Sequence, residues 1–287
     1  FSGAITGTTT ISKRGSGGLD LAGTNTYSSG ITLDQGTLTV SGNSSGATGS
    51  ILLRGAGSSG TTFGSAATTA TFGSGSVTAV AGGNSSQLGA TTLTGTQSQI
   101  LNANGTMANS GTLTVGRAGT VNVGGAWTQN GDATVYTLGG YTATLRVNAG
   151  GSFTYTSVSD FTLRSSGSAG TGTNLRIDGG TFTTGTRIHN PEANVLAGTA
   201  SVITLENGGT FRLSAGIADL FTTAGGSRSF VLRTGGGVVN TNGSSTTLNV
   251  PVSGTGGLTK SGGGTLTLAE LNTYSGDTTV STGTLSL

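Results

Sequence analysis

Residues 175 to 184 read LRIDGGTFTT, and this phrase holds the grammar of the whole chain. Apolar and polar residues alternate, a glycine pair interrupts them, and the alternation resumes. Alternation at period two turns one face of an extended strand inward. A Gly-Gly between two such runs marks a tight turn. The template recurs as LTVGRAGTVNV from Leu113, LRVNAGGSFTY from Leu145, ITLENGGTFRL from Ile203 and, more loosely, FVLRTGGGVVN from Phe230. The starts lie 32, 30, 28 and 27 residues apart. A unit of that length cannot bury its own apolar side and is stable only when stacked on its neighbours. The expected fold is therefore all-β, a right-handed parallel β-helix (β-solenoid) of about ten coils, on the order of 50 Å long at one strand spacing per coil.

This register assigns the core. With Leu113, Leu145, Leu175, Ile203 and Phe230 equivalent, Val115, Val147, Ile177, Leu205 and Leu232 form a second inward column two places on. Phe153, Phe182 and Phe211 share one position after the glycine corner, which implies an aromatic stack inside the coil. Helical periodicity is scarce. AGIADLF, Ala215 to Phe221, is the best helical candidate and spans barely two turns.

Composition supports the same class. Gly supplies 56 of 287 residues and charged residues only 8%, well below an ordinary globular enzyme. Hydrophobics at 32% and a net charge of +2 separate the chain from disordered tails, which carry too little apolar surface to fold. No basic cluster of the kind that tracks phosphates is present, so nucleic acid is not an expected partner. Cysteine is absent, which excludes disulfides and thiolate metal sites. No apolar run approaches the roughly 20 residues of a membrane helix.

The two ends of the chain repeat each other. Residues 21 to 38 read LAGTNTYSSGITLDQGTL and residues 268 to 285 read LAELNTYSGDTTVSTGTL, related by a constant shift of 247 positions. Extended upstream, the pair aligns Lys13 with Lys260, Gly15 with Gly262, Leu19 with Leu266, Leu21 with Leu268, Asn25–Tyr27 with Asn272–Tyr274, and Gly36–Leu38 with Gly283–Leu285. The pattern resembles the passenger-associated transport repeat (autotransporter-associated β-strand repeat) of autotransporter passenger β-helices. Where that pattern has Gly-Gly after the tyrosine, this chain has Ser29-Gly30 and Gly276-Asp277. The resemblance implies a secreted or surface-displayed bacterial β-helix in which the repeat assists folding during export and has no catalytic role. In such a corner Asn25 and Asn272 suit the left-handed conformation and cap backbone groups. Tyr27 and Tyr274 are expected to pack their rings with the hydroxyls wet.

Few residues offer chemistry. His189 is the single histidine. GNSSG at residues 42–46 matches the nucleophile-elbow string but lacks the strand-to-helix setting that string requires. GAGSSG at residues 55–60 matches a dinucleotide fingerprint without a following helix. GGLDL at residues 17–21 is one copy of a calcium-repeat phrase that works only in consecutive copies. Asp178 and Glu206 each lie three places after their coil starts, so they should be vertical neighbours about 5 Å apart, a separation suited to a retaining glycosidase. Asn148 precedes them in the column, Arg233 follows, and Arg146 and Arg176 flank them, which describes a solvated charge ladder. No catalytic, cofactor-binding or metal residues are assigned, and the chain is not expected to be an enzyme.

The expected organisation is one continuous β-helix over residues 1–287, a segment of a longer repetitive protein, with homologous repeats at 1–40 and 248–287 and generic coils at 41–247. The expected function is structural: an extracellular β-solenoid of a bacterial surface protein or filament that supports adhesion or matrix and fibre formation. The alternative is a tailspike- or lyase-like β-helix that binds or cleaves polysaccharide. Expected partners are further copies stacked axially into fibres, surface carbohydrate or other cells, and the outer membrane only through regions outside this segment.

Overall fold

A computed structural model describes residues 1–29, 31–33, 36–40, 51–53, 58–63, 87–88, 91–93, 99–103, 107–109, 111–116, 119–138, 141–166, 175–190, 201–222 and 228–287. Among them every regular element is a β-strand, and the strand pairings are parallel. The chain divides into two compact units, Phe1–Thr134 and Val135–Leu287.

In the second unit each coil contributes strands to successive sides. One sheet runs Thr144–Val147, Leu175–Asp178, Ser201–Glu206, Arg228–Leu232 and Val252–Gly254. The next runs Ser152–Tyr155, Thr181–Thr184, Gly209–Leu213, Gly237–Asn240, Leu258–Ser261 and Thr278–Val280. A third side carries Phe161–Ser166 and Ile188–His189, and further along Thr246–Leu248, Thr265–Leu268 and Thr284–Ser286. Parallel neighbours cannot be joined by a hairpin, so each turn of chain must travel round the other sides before it returns.

The register in this unit follows the alternation. Leu145, Leu175, Ile203 and Phe230 are successive partners, as are Val147, Ile177, Leu205 and Leu232, and all eight side chains are fully buried. Phe153, Phe182 and Phe211 are likewise successive partners. Their rings stand 5.6 and 5.4 Å apart, and Phe161 meets Phe153 and Phe182 edge-on at 6.3 and 5.2 Å. Such pairs contribute about 0.5–1.5 kcal/mol beyond the area they bury.

Glycine pairs divide the corner's two demands. In Glu206-Asn-Gly-Gly209 the chain turns through the left-handed region at Asn207 and Gly208, with φ of 52° and 74°, where a Cβ is strained for most residues. Gly209 answers to space instead, because a Cβ there would lie 2.1 Å from the Ile177 carbonyl oxygen of the coil beneath.

The first unit uses shorter coils. Ile11 pairs with Ile31 and Ile31 with Ile51, 20 residues apart, and Gln99 pairs with Gly119 at the same interval. Partner spacing in the second unit falls from 30 at Leu145–Leu175 to 22 at Phe230–Val252 and 20 at Leu258–Thr278.

Two expectations are corrected here. Leu113 and Val115 do not belong to the column of Leu145 and Val147. Leu113–Gly116 pairs with Thr91–Leu93 and is the third strand of the coil that opens with Gln99–Ala103 and Met107–Asn109. A template of two strands about one glycine corner fits more than one corner of a three-sided coil, so the interval of 32 measured from Leu113 is not a coil. Ala215–Phe221 is not a helix. It makes isolated bridges from Asp219 to Thr247 and from Phe221 to Ile188, and it buries Ile217, Leu220 and Phe221. Tertiary burial of three apolar side chains outweighs a marginal helical preference.

Replacing Phe182 with Ala should cost about 3–5 kcal/mol in equilibrium denaturation, because the ring is buried between two others. Val158→Ala, at a position 97% exposed, should change stability by less than about 0.5 kcal/mol.

Candidate functional site

The residues shared by the two end repeats cluster at backbone corners, where they satisfy polar groups that no strand can reach. Asn25 is fully buried; its Oδ1 accepts the Ile5 N–H at 3.2 Å, and its Nδ2 donates to the Gly23 carbonyl at 2.9 Å. Asn272 repeats both bonds, accepting from Val252 N–H at 3.0 Å and donating to the Glu270 carbonyl at 2.6 Å. In each copy the amide spans one coil backwards and two residues locally. A buried N–H without such an acceptor costs about 1–3 kcal/mol. The left-handed geometry expected of these asparagines is not found; Asn207 and Asn242 adopt it instead. Asn25 and Asn272 cap from within the allowed region, using the side chain alone.

The lysines lie at the next corner. Lys13 Nζ donates to the carbonyls of Arg14 at 3.0 Å and Gly15 at 2.6 Å. Lys260 is completely buried and donates to Ser261 at 2.9 Å, Gly262 at 2.6 Å and Thr282 at 2.9 Å. Burial pushes its pKa below the ordinary lysine value. Gly15 and Gly262 turn the chain with φ of 80° and 75°. The tyrosines differ. Tyr274 is half-buried and shares a 2.7 Å hydrogen bond with the Thr278 hydroxyl. Tyr27 is 1% exposed, and burial drives its phenol pKa far above the ordinary range, so the wet hydroxyl expected for it is not observed.

Asp178 and Glu206 are register partners, as are Arg146 and Arg176. Each arginine reaches the acid one coil ahead: Arg146 pairs with Asp178, and Arg176 with Glu206. Asn207 Nδ2 adds a 2.6 Å bond to Asp178 Oδ1. Burial raises the Asp178 pKa, but the hydrogen bonds from Arg146 and Asn207 and the charges of Arg146 and Arg176 outweigh it and hold the carboxyl below its usual range. A general acid needs the opposite shift.

His189 Nδ1 meets the Thr222 hydroxyl at 3.1 Å. Residues 42–46 and 54–57 lie outside the described residues, and the remainder of GAGSSG opens the strand Ser58–Phe63. Gly18–Leu21 of the calcium-like phrase is a strand. Among the described residues no three His, Asp or Glu side chains converge in a way that would hold a metal, and no helix is long and apolar enough to cross a membrane.

Two features escape the sequence. One is the charge inside the coil at Lys260. The other is an amide network in the first unit, where Gln129 Oε1 accepts from Asn109 Nδ2 at 2.9 Å and from Trp127 Nε1 at 3.2 Å, and Gln129 Nε2 donates to the Gly111 and Gly131 carbonyls at 2.8 and 2.9 Å. The alternation in AWTQ already turns Trp127 and Gln129 to one face.

The family described as passenger-associated-transport-repeat matches residues 11–40 and 258–287. The two ends of the chain are therefore passenger-associated transport repeats, which indicate an autotransporter passenger-type protein. No curated protein and no solved structure matches the chain.

Asn272→Ala should destabilise the second unit by about 1–3 kcal/mol, with faster amide exchange at Val252 as its local signature. Asp178 has a lowered folded-state pKa, so its ion pair contributes above the ordinary carboxylate range and is lost as pH falls through the folded value. Asp178→Asn should remove that acid-side slope, worth about 1 kcal/mol or less for so exposed a pair, in denaturation measured from neutral to acid pH.

Proposed function

We propose that this chain is a structural β-solenoid of a bacterial surface protein or filament, displayed outside the cell in the manner of an autotransporter passenger, where it supports adhesion or fibre and matrix formation. The observation that carries this reading is where the repeated residues are spent: asparagine, lysine and glycine all go to backbone corners. The ladder of Asp178 and Glu206 is occupied by arginines in the same spirit. Outward positions on the second sheet are hydroxyl-rich, with Thr181 over Thr210 and Thr259 over Thr279, which suits many weak contacts summed along a surface.

Both units form one continuous right-handed β-helix on the order of ten coils; right-handed crossovers are the near-universal solution for parallel strands. Copies associate end to end. In support, Leu271, Asn272, Tyr274 and Leu287 line an open cleft of about 410 Å³, whereas Asn25 and Tyr27, the counterparts of two of them, are fully covered in the other repeat. A coil of a second copy is the cover of matching shape. Surface carbohydrate or a neighbouring cell is the adhesion partner, and the outer membrane is reached through regions outside this segment.

Electron microscopy of the purified chain should show end-to-end filaments, and cells displaying it should lose the signal on external protease treatment. Discrete particles at high concentration would contradict the stacking. Measurable cleavage of a polysaccharide panel, lost in Asp178→Asn/Glu206→Gln, would replace the structural role with an enzymatic one.

A further inference from the structure

Lys260 occupies a place where a charge is out of keeping. The second sheet's inward column runs Phe153, Phe182, Phe211, Val239, Lys260 and Val280, each the register partner of the next. The lysine thus replaces an aliphatic core residue. Its three partners are backbone carbonyls, two on its own corner and one, Thr282, on the corner of the following coil. Three acceptors match the three N–H donors of an ammonium group. Gly283 completes the fit: a Cβ there would lie 2.6 Å from Nζ, and its φ of 78° aims the turn. Lysine and glycine are the two motif residues that meet across the coil boundary, although 23 positions separate them.

A buried charge is poor currency for stability, because an apolar side chain of similar volume does as well or better. Removing the partners of such a charge is severe. The strand that follows, Thr278–Val280, and the next, Thr284–Ser286, belong to DTTVSTGTLSL, in which a slip of two residues keeps the inward and outward parity. Hydrophobic pattern alone therefore specifies the register of this coil weakly.

We propose that Lys260 is a register pin: its ammonium admits the following coil only in the alignment that presents the Thr282 carbonyl beside a glycine. A two-residue slip offers a strand carbonyl already committed to the ladder, or a Cβ, and leaves the charge unpaired. Burial already weakens the ammonium, so the pin operates by excluding wrong registers rather than by strengthening the right one.

The chain has no cysteine, so disulfide trapping is clean. Thr267→Cys/Ser286→Cys joins register partners, and Thr265→Cys/Ser286→Cys reports a two-residue slip. With Lys260 present, only the in-register pair should oxidise readily. In Lys260→Met the slipped disulfide should rise about tenfold or more, as expected when a penalty for an unpaired buried charge is lifted. The melting midpoint should stay within about 3 °C of the parent or increase. An unchanged trapping pattern in folded Lys260→Met would overturn the proposal. Loss of the folded 246–287 region would overturn it equally, because the lysine would then be a determinant of stability.

Discussion

Every strand in this protein lies between two others, and each backbone N–H and C=O has to find its partner in the coil above or below. That constraint governs the rest. Extended parallel strands satisfy themselves by pairing, but corners break the ladder and expose polar groups at regular intervals. The chain answers with side chains whose chemistry is amide, hydroxyl or ammonium. Asn25 and Asn272 supply an acceptor and a donor across one coil. Thr241 Oγ1 donates to the Gly263 carbonyl of the following corner, and Lys260 closes three carbonyls at once. The low charge and abundant glycine of the sequence follow from the same demand.

Much of this was legible because alternation and glycine pairs are local. The columns from Leu145 to Phe230 and from Val147 to Leu232, the phenylalanine stack, and the pairing of Asp178 with Glu206 all follow from period two and a shared corner. The error at Leu113 has the same origin. A corner template states that two strands flank a glycine turn, but not which of three sides they occupy. Coil length was misjudged for a related reason: the well-matched copies lie where coils are longest, and the 20-residue coils of the first unit carry weaker versions of the phrase. Ala215–Phe221 failed on a different count, since isolated bridges and burial of Ile217, Leu220 and Phe221 are decided by coils distant in sequence.

The repeat itself was recognisable as a string, yet its purpose was not. Nothing in LTKSGGG states that the lysine points inward; its parity with Leu258 does, and parity is persuasive only once the strand is placed. The asparagine's role as a cap was accessible from its residue type, whereas its backbone conformation depended on the corner. Tyr27 and Tyr274 show the limit most plainly: the same residue in the same phrase is fully buried in one repeat and half-buried in the other, because exposure belongs to neighbouring coils rather than to the motif.

The central claim is that steps of unequal length in sequence become equal steps in space. Arg146, Arg176, Thr204, Val231 and Ser253 are successive outward register partners. Spin labels placed pairwise at 146 and 231, and at 146 and 253, measure this directly. At one strand spacing per coil the backbone separations should be about 14 Å and about 19 Å, so the two label distances should be narrow and differ by a single step. Broad distributions, or a difference of several steps between the two pairs, would contradict the coiled, in-register architecture.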